Sequence, residues 1–180
     1  MKIGFDLDKV FINTPPLVPN VVINKFYKKR DNGILLYSIP TRPEQILRKA
    51  AHIPFLRQPM KDNLTFLKEL SKEKKHQLYL ISSRFNFLEP ETSRLVKKYQ
   101  LDTIFDKLYF NYDNMQPHEF KNEILHKLNL DIFVDDDLSL VRYVAKDNPG
   151  TKFFWFDQHT KETTIGNNIT AITNLGEIFN

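Results

Sequence analysis

Apolar residues follow two patterns along the chain, and the two patterns alternate. Short, continuous apolar runs predict buried β-strands, whereas apolar residues that recur every three or four positions predict amphipathic helices. The runs that predict strands are Lys2–Phe5, Gln77–Ile81, Lys107–Phe110, Asp131–Val134 and Phe153–Phe156. The segments with helical spacing are Val21–Arg30, Pro43–His52, a stretch marked by Leu64, Leu67 and Leu70, Glu89–Tyr99, His118–Leu128, Leu138–Val144 and a last turn at Leu175–Phe179.

Strands that are apolar throughout, rather than at alternate positions, are typical of a parallel sheet that helices cover on both faces. The predicted fold class is therefore a doubly wound α/β domain with a Rossmann-like sheet. Residues 14–59 interrupt the alternation after the first strand and are predicted to form a small helical insertion, with residues 1–13 and 60–180 as the core. Within the insertion, Thr41 and Glu44 have the spacing of a helix N-cap and its capping box.

The amino-acid composition excludes several classes of protein and of functional site. The 180 residues include no Cys, which excludes disulfides, a thiolate nucleophile and Cys-ligated metals, and the 41% of hydrophobic residues excludes a disordered chain. Lys and Arg number 26 against 22 Asp and Glu, a net charge of +4 that suits a small anionic substrate as well as nucleic acid. The apolar run at the N-terminus contains two Asp, so we expect neither a signal peptide nor a membrane span, and a soluble, cytoplasmic protein.

Carboxylates follow two of the predicted strands directly. Asp6 and Asp8 come after the first strand, Ser82 and Ser83 after the second, and the acidic residues 135–137 after the strand that begins at Asp131. Ligands of such sheets bind outside the carboxyl ends of the strands, so these side chains are expected to meet. One such Asp cluster would be explained by helix capping. Two clusters of repelling carboxylates need a cation or a shared proton, and hard oxygen ligands favour Mg²⁺. We therefore expect metal-assisted phosphate chemistry.

These segments resemble the four motifs of the haloacid dehalogenase-like (HAD) superfamily of phosphohydrolases. The matching segments, in order along the chain, are Phe5–Val10 (Asp-x-Asp), Leu80–Ser82, Lys121 and Phe133–Asp136. The insertion stands where the family places a cap. The spacing from Lys121 to the acidic motif, and the Val-Asp-Asp-Asp-Leu ending, are most similar to the 5′-nucleotidase or deoxyribonucleotidase-like branch. Lys9 departs from the pattern, because many members have Gly there.

The resemblance implies a role for each matched residue. Asp6 is the expected nucleophile, which forms an aspartyl-phosphate, and Asp8 the expected acid and base. Ser82 and Lys121 are expected to bind the phosphate oxygens. The expected Mg²⁺ ligands are Asp6, Asp8 through its main-chain carbonyl, Asp135 and Asp136.

Several assignments have alternatives. Ser83 replaces Ser82 if the strand ends one residue later, and Lys107 is a rival to Lys121 that is more simply a surface residue. Asp137 either holds a metal-bound water or caps the next helix, and we favour the cap. For Lys9 and Arg84, solvated side chains are the simpler interpretation.

In the insertion, an anionic or aromatic leaving group has candidate partners, although aromatic residues at helical spacing more often form a small core. These candidates are Arg42, Arg48, Arg57, Phe26, Tyr27, Tyr37 and Phe55. The five histidines have no metal-binding spacing and are expected to be surface or capping residues. They are His52, His76, His118, His126 and His159.

The sequence thus predicts a Mg²⁺-dependent phosphomonoester hydrolase that acts on a small phosphorylated metabolite, with a nucleoside monophosphate among the candidates. The alternative is a catalytically inactive HAD-fold protein that binds a phosphorylated ligand in a regulatory role. Neither a membrane association nor a stable nucleic-acid complex is expected, because the basic run Lys72–Lys75 is simply the solvated end of a helix. Oligomeric state has no signature in the sequence.

Overall fold

Nine strands are present in the computed structural model, which describes residues 1–14, 28–31 and 34–179. The strands, in chain order from β1 to β9, are Lys2–Phe5, Lys28–Asp31, Ile34–Tyr37, Gln77–Ser82, Lys107–Phe110, Ile132–Asp135, Lys152–Phe156, Thr164–Gly166 and Ile169–Ile172. Seven of them form one sheet in the order β5-β4-β1-β6-β7-β9-β8. Every pairing in this sheet is parallel except that of β8 with β9.

Helices cover both faces of the sheet, as the sequence predicts. The helices α1 to α6 are Arg42–Ala51, Lys61–Glu73, Glu89–Tyr99, Leu101–Ile104, Pro117–Leu128 and Leu138–Asp147, with 3₁₀ turns at Asn86–Leu88 and Leu175–Phe179. Successive residues of a strand point to opposite faces. Accordingly Leu78 and Leu80 pack in one hydrophobic core with α2 and α3, while Tyr79 and Ile81 pack in the other with α5 and α6. The predicted doubly wound α/β fold is confirmed.

The insertion leaves and rejoins the core beside the end of β1. Asn13 donates its backbone N–H to the carbonyl of Gln58 at 2.8 Å, and Met60 donates to Phe11 at 2.8 Å. The predicted capping box is confirmed, because the Glu44 carboxylate accepts the backbone N–H of Thr41 at 2.6 Å at the start of α1. The boundaries predicted for the insertion remain a prediction.

The insertion is not purely helical. β2 and β3 form an antiparallel hairpin, so the helix predicted over Val21–Arg30 is wrong at its end, and residues 21–27 lie outside the described part of the chain. Asn32-Gly33 fits a helix stop after Val21–Arg30. An Asn-Gly pair beside apolar residues is also a strong hairpin signal. The short hairpin of β8 and β9 was likewise not predicted.

Within the described residues, no helix combines the length and the apolar character that a membrane span requires.

Gly4 supplies a test of how closely the central strands pack. It lies in β1 opposite Tyr79 of β4 and Phe133 of β6, and an added Cβ would lie 2.5 Å from Cδ1 of Leu130 and 2.9 Å from Cδ2 of Phe133. We predict that Gly4→Ala lowers the free energy of unfolding by about 1–3 kcal/mol, because the core must move to make room. Denaturant titration measures the change.

Gly150→Ala is the matched control. Gly150 is exposed and an added Cβ would meet nothing within 4 Å, so this variant is expected to be neutral or to stabilise by about 0.4–1 kcal/mol. Equal destabilisation by the two substitutions would contradict the close packing described around β1.

Candidate active site

Three adjacent strands bring the predicted site residues to one edge of the sheet. β4, β1 and β6 are neighbours, and their carboxyl ends deliver Ser82, Asp6 and Asp135 respectively. All three residues are buried, with 1%, 5% and 0% of their surface exposed. These residues are buried because each strand is apolar from its second residue up to the polar residue at its carboxyl end.

Lys121 joins two of these carboxylates. Its Nζ donates to Asp6 Oδ1 at 2.7 Å and to Asp135 Oδ2 at 2.6 Å, and its side chain is only 3% exposed. Burial alone would lower the pKa of Lys121, but the charges of Asp135 and Asp6 raise it well above its usual range, so the ammonium stays charged. Its rival Lys107 is exposed at the start of β5. The structure therefore places Lys121, and not Lys107, among the acids.

Backbone N–H groups hold the second oxygen of each buried carboxylate. Asp8 donates its N–H to Asp6 Oδ2 at 2.8 Å, and Asp137 donates its N–H to Asp135 Oδ1 at 2.9 Å. Asp137 also accepts from the backbone of Ser139 and Leu140, which confirms that it caps α6.

Lys9 adopts the backbone conformation for which Gly is favoured. Its φ is 56°, in the left-handed region, so the turn keeps its shape without a glycine, at a cost of about 1 kcal/mol. The expectation of a solvated side chain holds in part, because the Lys9 side chain is 34% exposed while its Nζ lies 3.1 Å from Asp136 Oδ2. The lysine thus supplies one positive charge to the acidic cluster.

Asp6, Asp135 and Asp136 form a cluster with the chemistry of a divalent-cation site. Oxygen atoms of the three carboxylates lie within 4.8 Å of one another. Burial, together with repulsion among the acids, raises the pKa of Asp6 to about 7 and those of Asp135 and Asp136 to about 6, despite the lysines beside them. Buried carboxylates this close together repel one another, and a cation between them would relieve that repulsion. Hard oxygen donors in this arrangement fit Mg²⁺.

Asp8 faces away from that cluster and toward two arginines. Arg84 binds its carboxylate with both Nε and Nη2, at 2.8 and 2.7 Å, and Arg57 Nη2 contacts Oδ1. Burial would raise the pKa of Asp8, but the Arg84 and Arg57 guanidiniums hold it well below its usual range. The prediction that the Arg84 side chain is solvated is wrong, because Arg84 is only 5% exposed and also donates to Thr92.

The signal that Arg84 belongs to the site was its position two residues beyond the end of β4. Arg57 had a weaker signal, since it reaches Asp8 from the insertion, 49 positions along the chain. Ion pairs of such sequence separation have no local pattern.

The insertion also touches the site through Tyr37, the last residue of β3. Its hydroxyl donates to Asp137 Oδ2 at 2.7 Å, and its backbone N–H donates to Gln116 Oε1 at 2.8 Å. Tyr37 therefore makes polar contacts beside the site in addition to packing in the apolar core.

Two histidines, His52 and His118, are buried and not on the surface, although His52 occupies the C-cap of α1, in line with the expected capping role. His52 Nδ1 lies 2.7 Å from the carbonyl of Arg48, and burial together with the charges of Arg84 and Arg57 lowers the pKa of His52 to about 3. The ring of His118 packs 4.5 Å from that of Tyr143. Both imidazoles are buried where protonation is unfavourable.

The core and the insertion enclose a cleft of about 520 Å³ in which these residues meet. Both Ser82 and Ser83 line it, and Ser83 also donates weakly to the carbonyl of Pro117 at 3.4 Å. Of the residues proposed to contact a leaving group, Arg48, Arg57 and Tyr37 line the cleft. In the described part of the chain Arg42 and Phe55 are exposed and lie outside it, while Phe26 and Tyr27 lie outside the described residues.

No family model and no curated protein matches the chain in sequence. Solved structures do match. An archaeal β-phosphoglucomutase from Pyrococcus sp. strain ST 04 has a TM-score of 0.60 at 15% identity, over 98% of this chain and 93% of its own. A HAD-family enzyme from Bacteroides thetaiotaomicron, an Asp-to-Ala mutant in complex with magnesium and inorganic phosphate, has a TM-score of 0.57 at 16% identity, over 89% and 95%.

A chain of the Pnkp1/Rnl/Hen1 RNA repair complex is also similar, with a TM-score of 0.55 at 17% identity over 86% of this chain. This chain spans only 42% of the length of that relative. At such identities the likeness shows the fold alone, which this chain shares with these solved structures.

The pKa of Asp6 leads to a prediction on stability. Since the folded protein raises this pKa from 3.8 to about 7, the folded state binds the proton more tightly than the unfolded chain. The resulting contribution to folding is present at low pH and is lost as the pH rises through about 7. The test compares the unfolding free energies of Asp6→Asn and wild type in EDTA. The value for Asp6→Asn minus that for wild type is expected to increase by about 1–3 kcal/mol between about pH 5 and pH 8.

Denaturant titrations at each pH measure this difference. Asp102→Asn, at an exposed position on α4, is the control and is expected to change the unfolding free energy by less than about 0.5 kcal/mol throughout. At the higher pH, added Mg²⁺ should stabilise wild type more than Asp6→Asn. A difference between the two proteins that does not change with pH would contradict the prediction. So would equal stabilisation of wild type and Asp6→Asn by Mg²⁺.

Proposed function

We propose that the protein is a Mg²⁺-dependent phosphomonoester hydrolase that works through an aspartyl-phosphate on Asp6. The observation that carries the proposal is the contact of Lys121 with both Asp6 and Asp135 at the floor of a cleft. A structural neighbour bound to magnesium and inorganic phosphate, and the resemblance of the four motifs, support it.

Asp6 is held for attack on phosphorus. Its two oxygens are fixed by Lys121 and by the N–H of Asp8, which restricts the carboxylate to one orientation. One Asp6 oxygen forms the bond to phosphorus as the bond to the leaving oxygen breaks, and Asp8 gives that oxygen a proton. Water then attacks the aspartyl-phosphate, gives its proton to Asp8, and phosphate leaves.

Asp8 suits the second of these steps as it stands, because a charged carboxylate accepts a proton from water. In the first step it must carry a proton, so its contacts with Arg57 and Arg84 must loosen when substrate binds. Those arginines are the residues that a leaving group meets first, since they surround Asp8.

Asp6, Asp135 and Asp136, with the main-chain carbonyl of Asp8, would hold the Mg²⁺. Bound there, the ion supplies positive charge next to the non-bridging phosphate oxygens. Ser82 and Lys121 bind the other oxygens, and Lys121 also offsets the charge of Asp6 when an anion approaches.

The substrate is a small phosphorylated metabolite, because the cleft volume lies in the range of small-ligand sites. The nucleotidase branch suggested by the sequence would make it a nucleoside monophosphate. The alternative function is that of an inactive binder of a phosphorylated ligand, and the presence of both Asp6 and Asp8 favours turnover.

Turnover of a panel of phosphate esters tests the proposal. Nucleoside monophosphates, sugar phosphates and short alkyl phosphates are incubated with Mg²⁺, and phosphate release is measured. We expect Asp6→Asn to lower kcat by about 10⁴-fold or more, since it removes the nucleophile. EDTA should abolish the wild-type rate, and Mg²⁺ should restore it.

Ser82→Ala and Ser83→Ala form a matched pair in the same assay. Ser82→Ala is expected to lower kcat/KM by about 10- to 100-fold, the value of a hydrogen bond to a charged oxygen, and Ser83→Ala by clearly less. Wild-type rates no higher than those of Asp6→Asn on every ester would overturn the enzyme proposal. Tight binding of one ester without turnover would then favour the regulatory alternative.

A further inference from the structure

Three buried arginines line the cleft. Arg48 lies on α1, Arg57 on the segment that follows it, and Arg84 on the loop after β4; they are 8%, 3% and 5% exposed. Arginine is almost never buried this deeply without anionic partners, because a buried charge is costly. Since Arg57 and Arg84 both contact the single carboxylate of Asp8, these residues bring two positive charges to one negative charge at the cleft.

The position of the arginines separates them from the cation site. Arg57 and Arg84 contact the carboxylate of Asp8, whereas Lys121 and Lys9 contact the acids at the ends of β1 and β6. In the proposed reaction Asp8 serves the leaving oxygen. Arg57 and Arg84 consequently lie at the leaving-group end of the cleft, since one hydrogen bond joins each arginine to Asp8 and a second would join Asp8 to that oxygen. Arg48 lines the same cleft.

Helix α3 holds two of these arginines in place. Thr92 Oγ1 accepts from Arg84 Nη1 at 3.2 Å, and the hydroxyl of Tyr99 donates to the carbonyl of Arg57 at 2.9 Å. Lys98 donates to the carbonyl of Pro54 at 2.8 Å, which fixes the segment before Arg57. The guanidiniums are thus positioned before any ligand arrives, which lowers the entropy cost of binding.

Charge is unevenly distributed between the insertion and the core. Residues 14–59 hold eight of the 26 Lys and Arg but only two of the 22 Asp and Glu, so the insertion carries +6 and the remainder of the chain −2. Among the described acidic side chains that line the cleft, those of Asp8 and Glu44 belong neither to the carboxylate cluster nor to the Asp137 cap beside it. His52 adds no charge there, since the nearby arginines and burial keep its pKa near 3.

We propose that Arg48, Arg57 and Arg84 form a binding site for a second anionic group on the substrate, so that the substrate is a phosphomonoester whose leaving group carries a carboxylate or another phosphate. Guanidinium groups bind both anions with paired, parallel hydrogen bonds. The inference rests on the proposed function and narrows it. A nucleoside monophosphate has no such group on its leaving side and is expected to be a poorer substrate.

Three two-carbon esters test the site, because they differ only at the far end of the leaving group. They are 2-phosphoglycolate with a carboxylate, ethane-1,2-diol bisphosphate with a phosphate, and 2-hydroxyethyl phosphate with a neutral hydroxyl. At least one anionic ester is expected to exceed the neutral one in kcat/KM by about tenfold or more, the value of one charge-assisted contact. Which of the two is preferred identifies the anion.

Arg48→Gln and Arg57→Gln are expected to reduce this preference to about threefold or less, since each removes one guanidinium. Arg42→Gln is the matched control, because Arg42 is an exposed arginine at the start of the same helix α1, and it should keep the wild-type preference. Equal kcat/KM for the three esters in wild type would overturn the proposal. So would a preference that survives both cleft substitutions in variants whose thermal unfolding matches wild type.

Calorimetry measures the binding of the three esters to Asp6→Asn. This measurement tests the proposal even if the arginine variants fail to fold or if no ester is hydrolysed. Loss of turnover on every ester would count against the proposed function alone. In that case 2-phosphoglycolate or the bisphosphate should still bind about tenfold more tightly than 2-hydroxyethyl phosphate. Equal binding of all three would overturn the anion site.

Discussion

The structure depends on a group of charges that the fold buries together: Asp6, Asp135 and Lys121. Each carboxylate shares one oxygen with the same ammonium and the other with a backbone N–H, so none of the three rotates freely. Removing Lys121 would leave two uncompensated carboxylates in the interior, which is strongly destabilising. The strands β1, β4 and β6 therefore do two things at once. They form the core, and they end where this group of buried charges lies.

The second feature of the site is that the carboxylate of Asp8, the proposed acid and base, contacts the insertion. Asp8 contacts Arg84 of the core and Arg57 of the insertion, while Tyr37 contacts Asp137 on the far side of the cleft. The insertion is consequently part of the reaction site and not only its cover. In the proposed reaction, an anion bound by the arginines would change the surroundings of Asp8. Recognition of the leaving group would then be coupled to proton transfer.

The fold and the meeting of the acidic side chains were predictable because both follow from one local pattern, a buried apolar strand followed directly by a polar residue. Asp6, Ser82 and Asp135 were found in this way. Lys121 required the family resemblance, since nothing in its helix distinguishes it from other lysines. The pairing of Arg57 with Asp8 was not predictable, because the length and geometry of the insertion determine it. The strand at Lys28–Asp31 was missed because a basic segment with helical spacing obscured the hairpin signal of Asn32-Gly33.

The central claim is that the buried carboxylate of Asp6 forms a covalent bond to phosphorus. Rapid acid quench of the protein during turnover of its best ester, followed by peptide mass spectrometry, measures this directly. The account predicts one added phosphoryl group on the peptide that contains Asp6, and none in Asp6→Asn. A phosphoryl group on another residue, or rapid phosphate release with no phosphorylated peptide at any quench time, would contradict it.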